Sequence, residues 1–141
     1  MSKIAVIRIR SAIRAHPDVL HTLDLLKLKH SNHCVIFEKN PALLGMVNRV
    51  KDYTTWGDLD EATLKLLIEK RGVLWEGRET DSKKKYKYTC FEFNGKKYLP
   101  VFKLNPPTKG YGRKGVKTSF TNSGALGDRK EKINDLIQRM I

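Results

Sequence analysis

The first residues of the chain alternate between apolar side chains that point to opposite sides. In residues 3–11, Ile4 and Val6 point one way, whereas Ala5 and Ile7 point the other. β-Branched residues in an alternating run are typical of strands. The pattern predicts a strand with at least one buried face.

Helical and strand-like spacing then alternate up to residue 57. One helix is predicted from Pro17 to about Lys29 and another after Asn40-Pro41, since apolar residues recur at i, i+3 or i+4 and i+7. Proline suits the first position of each helix. Short apolar runs predict strands at 34–37 and 52–56, the second closed by Gly57. The order is β-α-β-α-β, with both helices on one face of a small sheet.

The middle of the chain predicts a third helix and a hairpin. The helix starts at Asp60 and ends at Arg71-Gly72, and the polar residues 76–85 form a linker or loop. Asn94-Gly95 stands between two aromatic-rich runs, 86–93 and 96–103, and is a strong signal for a two-residue hairpin turn. That turn pairs Phe93 with Lys96, Glu92 with Lys97 and Phe91 with Tyr98.

The end of the chain combines a long loop with a terminal helix. Residues 105–127 hold four basic residues, no acidic residue and five of the ten glycines. After Asp128, apolar residues at helical spacing predict a helix to the C-terminus. We therefore expect an α+β protein in which residues 1–57 form the core. Residues 58–141 form an extension packed on it, with a helix, a β-hairpin, the basic loop and the C-terminal helix.

Charge is the unusual feature of the composition. The chain has 28 Lys and Arg against 15 Asp and Glu, a formal net charge of +13 over 141 residues. Residues 1–56 and 81–141 carry the excess, whereas residues 57–80 are slightly acidic. A charge this large indicates an anionic partner, of which nucleic acid is the commonest and an anionic membrane the second. Because both ends are basic, the partner is expected to touch two parts of the chain.

The sequence disfavours secreted, membrane-spanning, disulfide-bonded and enzymatic proteins. Met1 to Arg10 has no signal-peptide pattern, and no apolar run reaches the roughly 18 residues of a membrane span. Cys34 and Cys90 form no C-x-x-C pair, which fits a reducing cytoplasm. No nucleophile triad or H-E-x-x-H pattern occurs, so we predict that the protein is not an enzyme and needs no cofactor or small-molecule substrate.

The glycines of the basic loop match G-x-G-x-x-G at Gly110, Gly112 and Gly115. A dinucleotide turn needs a strand before this pattern and a helix that opens inside it. Pro106-Pro107 interrupts any strand before the pattern, and the residues after Gly115 are not helical. The favoured interpretation is a nucleic-acid-binding loop, in which glycines let backbone N–H groups approach phosphates. The alternative is a solvated run of charge.

Two further features have competing explanations. His30-x-x-His33-Cys34 resembles part of a metal site, but three ligands are too few for a closed structural zinc, and a polar turn before a buried cysteine is favoured. Gly45 lies inside the second helix, where it costs about 1 kcal/mol relative to alanine. Close approach of another backbone, from protein or RNA, would explain it.

Four motifs follow one another in an order that resembles a known family. They are the strand end, the H-S-N-H-C turn, the N-P helix with G-M-V and the L-N-P-P basic loop. The family is the large-subunit ribosomal protein thirty family, called protein seven in eukaryotes, in the archaeal form with a C-terminal extension. The resemblance is close in 1–57 and resumes in FKLNPPTKGYGRKGVKTSF and GALGDRKEKINDLIQRMI. It implies a ferredoxin-like βαβαβ core with an antiparallel sheet and a structural, cytoplasmic, rRNA-binding role without catalysis.

The resemblance also implies which residues face RNA. Transferred to this sequence, they are Arg8, Arg10, Ser11 and Arg14 at the strand end, Lys27, Lys29, His30, Asn32 and His33 around the turn, Met46 and Arg49 on the second helix, and Lys109, Gly110, Tyr111, Gly112, Arg113, Lys114 and Lys117 in the loop. The implied partners are large-subunit ribosomal RNA and neighbouring ribosomal proteins, with no membrane. A nucleotide-binding enzyme and a free RNA chaperone remain the alternatives.

Overall fold

A computed structural model of the chain describes residues 3–77, 80, 82–85 and 91–141. Within them, the strands are β1 (Lys3–Arg8), β2 (His33–Glu38), β3 (Thr54–Asp58), β4 (Phe91–Phe93), β5 (Lys96–Tyr98), β6 (Val101–Lys103) and β7 (Gly127–Asp128). The helices are α1 (Pro17–Leu25), α2 (Pro41–Arg49), α3 (Glu61–Arg71) and α4 (Ile133–Met140), with 3₁₀ turns at Phe120–Asn122 and Lys130–Lys132. The predicted helices and strands follow one another in this α+β order, whereas β7 and the two 3₁₀ turns were not predicted. None of these helices is long and apolar enough to cross a membrane.

The predicted helix starts carry the expected caps. The side chain of Asn40 accepts a hydrogen bond from the backbone N–H of Ala42 at 3.0 Å, and Pro41 follows at the first helical position. His16 caps α1 in the same way, accepting from the N–H of Asp18 through Nδ1 at 3.2 Å. Such caps satisfy N–H groups that have no partner inside the helix. Both helices therefore begin where the sequence indicated.

A five-stranded sheet in the order β6-β2-β1-β3-β7 forms the centre of the protein. β1 pairs antiparallel with both β2 and β3, which confirms the antiparallel core. β6 extends one edge in antiparallel pairing, and β7 extends the other edge in parallel pairing with β3. The complete sheet is thus mixed, and the extension supplies both of its edges. The division of the chain at residue 57 stays a prediction.

Both faces of the sheet are buried. Ile4 and Val6 pack against the inner sides of α1 and α2, as the alternation predicted. Ala5 and Ile7 face a second layer, formed by α3 and α4. The apolar side of α4 is fully buried there and consists of Ile133, Leu136, Ile137 and Met140. Burial of each of these side chains stabilises the fold by about 1.5–3 kcal/mol. The two helices of residues 1–57 thus share one face of the sheet, and helices of the extension cover the other face.

Gly57 does not close the third strand but lies inside β3. A Cβ atom on Gly57 would lie 2.2 Å from the carbonyl oxygen of Lys130 and 2.7 Å from the Cβ atom of Ile133. The segment that leads into α4 therefore crosses β3 at a point where no side chain fits. The predicted strand end was wrong because this close approach comes from residues more than 70 positions away.

The predicted hairpin exists with the predicted pairing. Phe91 pairs with Tyr98 and Phe93 with Lys96 around the Asn94-Gly95 turn. The run 96–103 is not one strand, because it breaks at Pro100 into β5 and β6, and β6 joins the main sheet. Residues 86–90 of the predicted first run, and 78, 79 and 81 of the predicted linker, lie outside the described residues. Ring packing of Phe91 against Phe102, with centroids 5.9 Å apart, joins the hairpin to the core.

Candidate nucleic-acid interface

The C-terminal end of β1 and the start of β2 meet where these strands end, a region called the sheet edge below, and Arg8 holds this junction together. Its guanidinium donates to the carbonyl oxygens of Leu28 at 3.0 Å, Lys29 at 2.7 Å and Arg10 at 3.0 Å. Arg8 is only 8% exposed, and burial lowers its pKa while the charge of Asp24 opposes the shift. The structure therefore gives Arg8 a supporting role in the turn rather than an exposed charge.

Asn32 connects three segments of the chain at this edge. Its backbone N–H donates to the carbonyl oxygen of Arg8 at 2.7 Å, and its own carbonyl accepts from the N–H of Leu104 at 3.1 Å. Its side-chain oxygen accepts a hydrogen bond from the hydroxyl of Tyr111 in the basic loop. Asn32 adopts φ 64°, a conformation that asparagine tolerates better than most residues. The predicted turn and the predicted loop are thereby brought together.

The histidines of the turn lie beside one another. The rings of His30 and His33 are edge to face, with centroids 5.2 Å apart. Burial lowers the pKa of His33, and the positive charges of Lys103 and Arg8 and the neighbouring His30 lower it further. His33 therefore has a neutral imidazole at neutral pH. It is half-buried, whereas Lys29 and His30 are exposed.

These histidines form no metal site with the cysteine that follows. Cys34 is completely buried in the sheet, and burial raises the pKa of its thiol to about 12, which disfavours the thiolate that binds metals. Across the described part of the chain, no three His, Cys, Asp or Glu side chains are grouped so that they could hold a metal ion.

The connection after β1 supplies further cations to this edge. Arg10 donates through Nη1 to the carbonyl oxygen of Asp52 at 3.2 Å, and its guanidinium lies 5.4 Å from the centroid of the Tyr53 ring. Ser11 and Arg14 are exposed, and Arg14 has φ 64°. The strand end therefore offers one cation that is partly held by the protein and one that is open to solvent.

The sites predicted on and near the helices differ in exposure. Arg49 is exposed in the last turn of α2, whereas Met46 is half-buried and packs against the core under α1 and α2. Lys27, just after α1, is half-buried with φ 62°. Gly45 is exposed, and no heavy atom lies within 4 Å of a Cβ placed on it. No neighbour among the described residues packs on Gly45, so none of them explains this glycine.

Arg139 in α4 and Arg129 shortly before α4 anchor the basic loop through its backbone. Arg139 donates through Nη1 to the carbonyl oxygens of Thr108 at 3.2 Å and Gly110 at 2.7 Å. Arg129 donates through Nη2 to the carbonyl oxygens of Tyr111 at 2.7 Å and Ala125 at 3.1 Å. These contacts fix both ends of the loop.

Arg129 is the more deeply buried of the two anchors. It is 4% exposed, and its Nε donates to the hydroxyl of Thr55 in β3 at 3.0 Å. Burial, with a smaller contribution from the charge of Arg139, lowers the pKa of Arg129 to about 10, so it remains charged at neutral pH. Neither Arg129 nor Arg139 was among the predicted site residues, because nothing in the local pattern shows which arginine in or near a helix will turn inward.

The loop keeps its own cations on the outside. Four exposed side chains have no partner within the described residues, and they are Lys109, Arg113, Lys114 and Lys117. The glycines have a structural use, since a Cβ on Gly112 would lie 2.3 Å from the carbonyl oxygen of Gly124. Turns rather than a helix follow Gly115, so the G-x-G-x-x-G match lacks the helix of a dinucleotide site.

Comparison with known proteins identifies the family. A family model described as Ribosomal protein L30p/L7e matches residues 4–54. The chain is also 39% identical to the large ribosomal subunit protein uL30 of Nanoarchaeum equitans over the full length of both proteins. The chain belongs to the uL30 family.

Other archaeal uL30 proteins match over nearly the same length. The chain is 38% identical to uL30 of Methanopyrus kandleri, with 94% of this chain and 99% of the relative covered. For uL30 of Methanococcus vannielii the identity is 37%, with 97% and 98% covered. The predicted family, its archaeal form with the C-terminal extension, the fold class and the absence of enzymatic activity are thereby confirmed.

Proposed function

We propose that this protein, as a structural constituent of the large ribosomal subunit, binds and stabilises ribosomal RNA through the sheet edge at the end of β1 and the basic loop. Its partners are then large-subunit ribosomal RNA and neighbouring ribosomal proteins, in the cytoplasm. It supports translation by holding RNA segments in place rather than by chemistry.

The single observation that supports this surface most is the hydrogen bond from Tyr111 to Asn32. It joins the basic loop to the turn, and the turn is joined to the strand end through the carbonyl of Arg8. Cations that are separate in the sequence therefore belong to one continuous surface. A continuous basic surface suits RNA, since most of the affinity comes from contacts with phosphates.

The predicted RNA-facing residues divide into two groups in this proposal. The contact group is exposed and consists of Ser11, Arg14, Lys29, His30, Arg49, Lys109, Gly110, Gly112, Arg113, Lys114 and Lys117. The supporting group is buried or half-buried and consists of Arg8, Arg10, Lys27, Asn32, His33, Met46 and Tyr111. The second group shapes the surface, and its substitution should change affinity indirectly.

No observation favours either alternative function. The glycine loop lacks the helix that a nucleotide-binding enzyme needs after it. A free RNA chaperone would share the basic surface but would not sediment with ribosomal particles.

Sedimentation of a cell lysate tests the proposal. We expect the protein in the large-subunit fraction of a sucrose gradient at moderate salt, and we expect chemical protection of ribosomal RNA to map next to the exposed loop cations. A variant with Arg113→Gln and Lys117→Gln should leave the particle at lower salt than a control with Lys65→Gln and Lys70→Gln on α3. Recovery of the wild-type protein mainly in the free fraction would refute the proposal.

A further inference from the structure

The basic loop and the start of α4 surround an open cleft of about 720 Å³. Five cationic residues line it, and they are Lys109, Arg113, Arg129, Lys132 and Arg139. The acidic residue among the described lining residues is Asp135, whose carboxylate is paired with Nε of Arg139 at 3.2 Å. The cleft therefore presents a strong net positive charge to whatever enters it.

An aromatic ring lines the same cleft. Phe120 is half-buried, and its ring centroid lies 4.8 Å from the guanidinium of Arg129 and 5.5 Å from the ammonium of Lys132. Arg129 is held in place by its hydrogen bonds to Thr55, Tyr111 and Ala125. Lys132 is exposed, so its side chain can move from the ring towards an incoming anion.

One wall of the cleft is peptide backbone. Gly112 and Gly124 both line it, and the carbonyl group of Gly124 approaches Gly112 so closely that Gly112 has no room for a side chain. A Cβ on Gly124 would itself lie 2.1 Å from the carbonyl oxygen of Thr118. At these two positions the wall of the cleft therefore carries no side chain.

We propose that this cleft holds one unpaired nucleotide of RNA, with its base stacked against Phe120 and its phosphate neutralised by Lys109, Arg113 and Lys132. The inference rests on the proposed function, because it adds a defined subsite to the basic surface. Clefts of about 300–1,000 Å³ are the usual size for small ligands. Bases splayed out of RNA bulges and loops are commonly recognised by stacking on aromatic side chains.

The aromatic ring favours RNA over an acidic peptide as the occupant. Cations alone would serve a carboxylate equally well, but an aromatic side chain in the lining can stack on the flat face of a base. The cleft is also continuous with the proposed RNA surface, because Tyr111 both lines the cleft and donates its hydrogen bond to Asn32. A phosphate backbone that follows the exposed loop would therefore pass its opening.

The test compares two RNA duplexes without loops, one in which a 2-aminopurine forms a single bulge and one in which the same 2-aminopurine is paired. For the full-length protein we expect the bulged RNA to bind about tenfold more tightly, with quenching of its fluorescence, since stacking of one base supplies about that factor. Phe120→Leu should remove the preference and the quenching, whereas Phe120→Tyr should retain both. Lys132→Gln, an exposed substitution, should weaken binding of the bulged RNA more than that of the paired RNA.

Three results would overturn the inference. These are equal affinity of the wild-type protein for both RNAs, an equal loss for both RNAs in Phe120→Leu, or displacement of the bulged RNA by a poly-glutamate peptide at equal charge. Urea unfolding of Phe120→Leu and Phe120→Tyr shows whether each variant is folded. If Phe120→Leu is not folded, the Lys132→Gln comparison still tests the inference. Binding of both RNAs without preference refutes the cleft alone, whereas failure to bind either RNA refutes the proposed function as well.

Discussion

The hydroxyl of Tyr111 donates a hydrogen bond to the side-chain oxygen of Asn32, 79 positions earlier in the chain. Burial raises the pKa of Tyr111, while the hydrogen bond with Asn32 opposes the shift, so the phenol remains protonated and able to donate. The bond fixes the basic loop against the turn that Arg8 supports. It is therefore the contact through which loop and sheet edge act as one surface.

Removal of this hydroxyl should loosen the loop without unfolding the protein. We expect Tyr111→Phe to lower the free energy of unfolding by about 1 kcal/mol, the usual net value of a hydrogen bond. Urea denaturation measures this change, and amide exchange should accelerate at Gly110 and Lys114, whose N–H groups donate to the carbonyl oxygens of Pro107 and Ser123. Tyr53→Phe is the matched control, because the hydroxyl of Tyr53 has no partner among the described residues. Equal effects of the two substitutions would contradict this role for Tyr111.

Arg129 should be the more important anchor for stability. Arg129→Met removes the donor for the carbonyl oxygens of Tyr111 and Ala125 and for the hydroxyl of Thr55. We expect a loss of about 2–4 kcal/mol in the free energy of unfolding, because buried acceptors are left without partners. The exposed Arg113→Met should change it by less than about 0.5 kcal/mol. A loss below 1 kcal/mol for Arg129→Met would show that water replaces these contacts.

The salt dependence of RNA binding should separate contact residues from other cations. Each phosphate contact adds about 0.7–0.9 to the slope of log affinity against log salt. Arg113→Gln with Lys117→Gln should therefore reduce the slope by about 1.5. The double substitution Lys65→Gln and Lys70→Gln removes the same charge from the outer side of α3. If both double variants lower the slope equally, binding reflects net charge rather than this surface.

Gly45→Ala should have opposite effects on folding and on RNA binding. Alanine is favoured over glycine in a helix by about 1 kcal/mol, and no described atom lies within 4 Å of the added methyl group. We expect higher thermal stability together with weaker RNA binding, because an RNA backbone close to Gly45 would meet the methyl group. Higher stability with unchanged RNA affinity would exclude a close RNA backbone as the reason for this glycine.

The stability of the free protein should fall as the pH is lowered through the histidine range. The folded-state pKa of His33 lies below its unfolded value of 6.5. The unfolded chain therefore binds the proton first as the pH falls below 6.5. The loss of stability that comes from His33 is complete once the pH is below the folded-state pKa. Above pH 6.5, protonation of His33 has no effect on stability.

Urea unfolding at several pH values measures this dependence. His33→Asn should flatten it, while His21→Asn on the exposed side of α1 serves as the control. Bound RNA should raise the pKa of His33, because a nearby phosphate favours the protonated ring. NMR titration of the ring with and without RNA would show this shift or contradict it.

Local sequence patterns predicted the elements that depend on neighbouring residues. The alternation of Ile4 to Ile7, the proline starts of α1 and α2 and the Asn94-Gly95 turn each act within a few positions, so the chain itself carries the signal. The same holds for the apolar side of α4. The charge excess likewise indicated an anionic partner without any knowledge of the fold.

The boundaries that failed depend on distant residues. Gly57 lies inside a strand because the backbone at Lys130 crosses it, and the segment 101–103 leaves the hairpin for the main sheet because β2 offers a free edge. The second helical layer has the same origin, since the extension folds back to cover Ala5 and Ile7. None of these contacts has a local spacing that a sequence pattern could show.

The sequence by itself determined the order of the elements, the excess of positive charge and the segments that carry it, because propensity, periodicity and charge are local properties. Only the tertiary structure decided which of those cations are available. Arg8 and Arg129 turn inward to satisfy buried carbonyl groups, whereas Arg113 and Lys117 remain in solvent. Burial of a polar group is costly unless a partner is present, and that partner comes from whichever segment folds next to it.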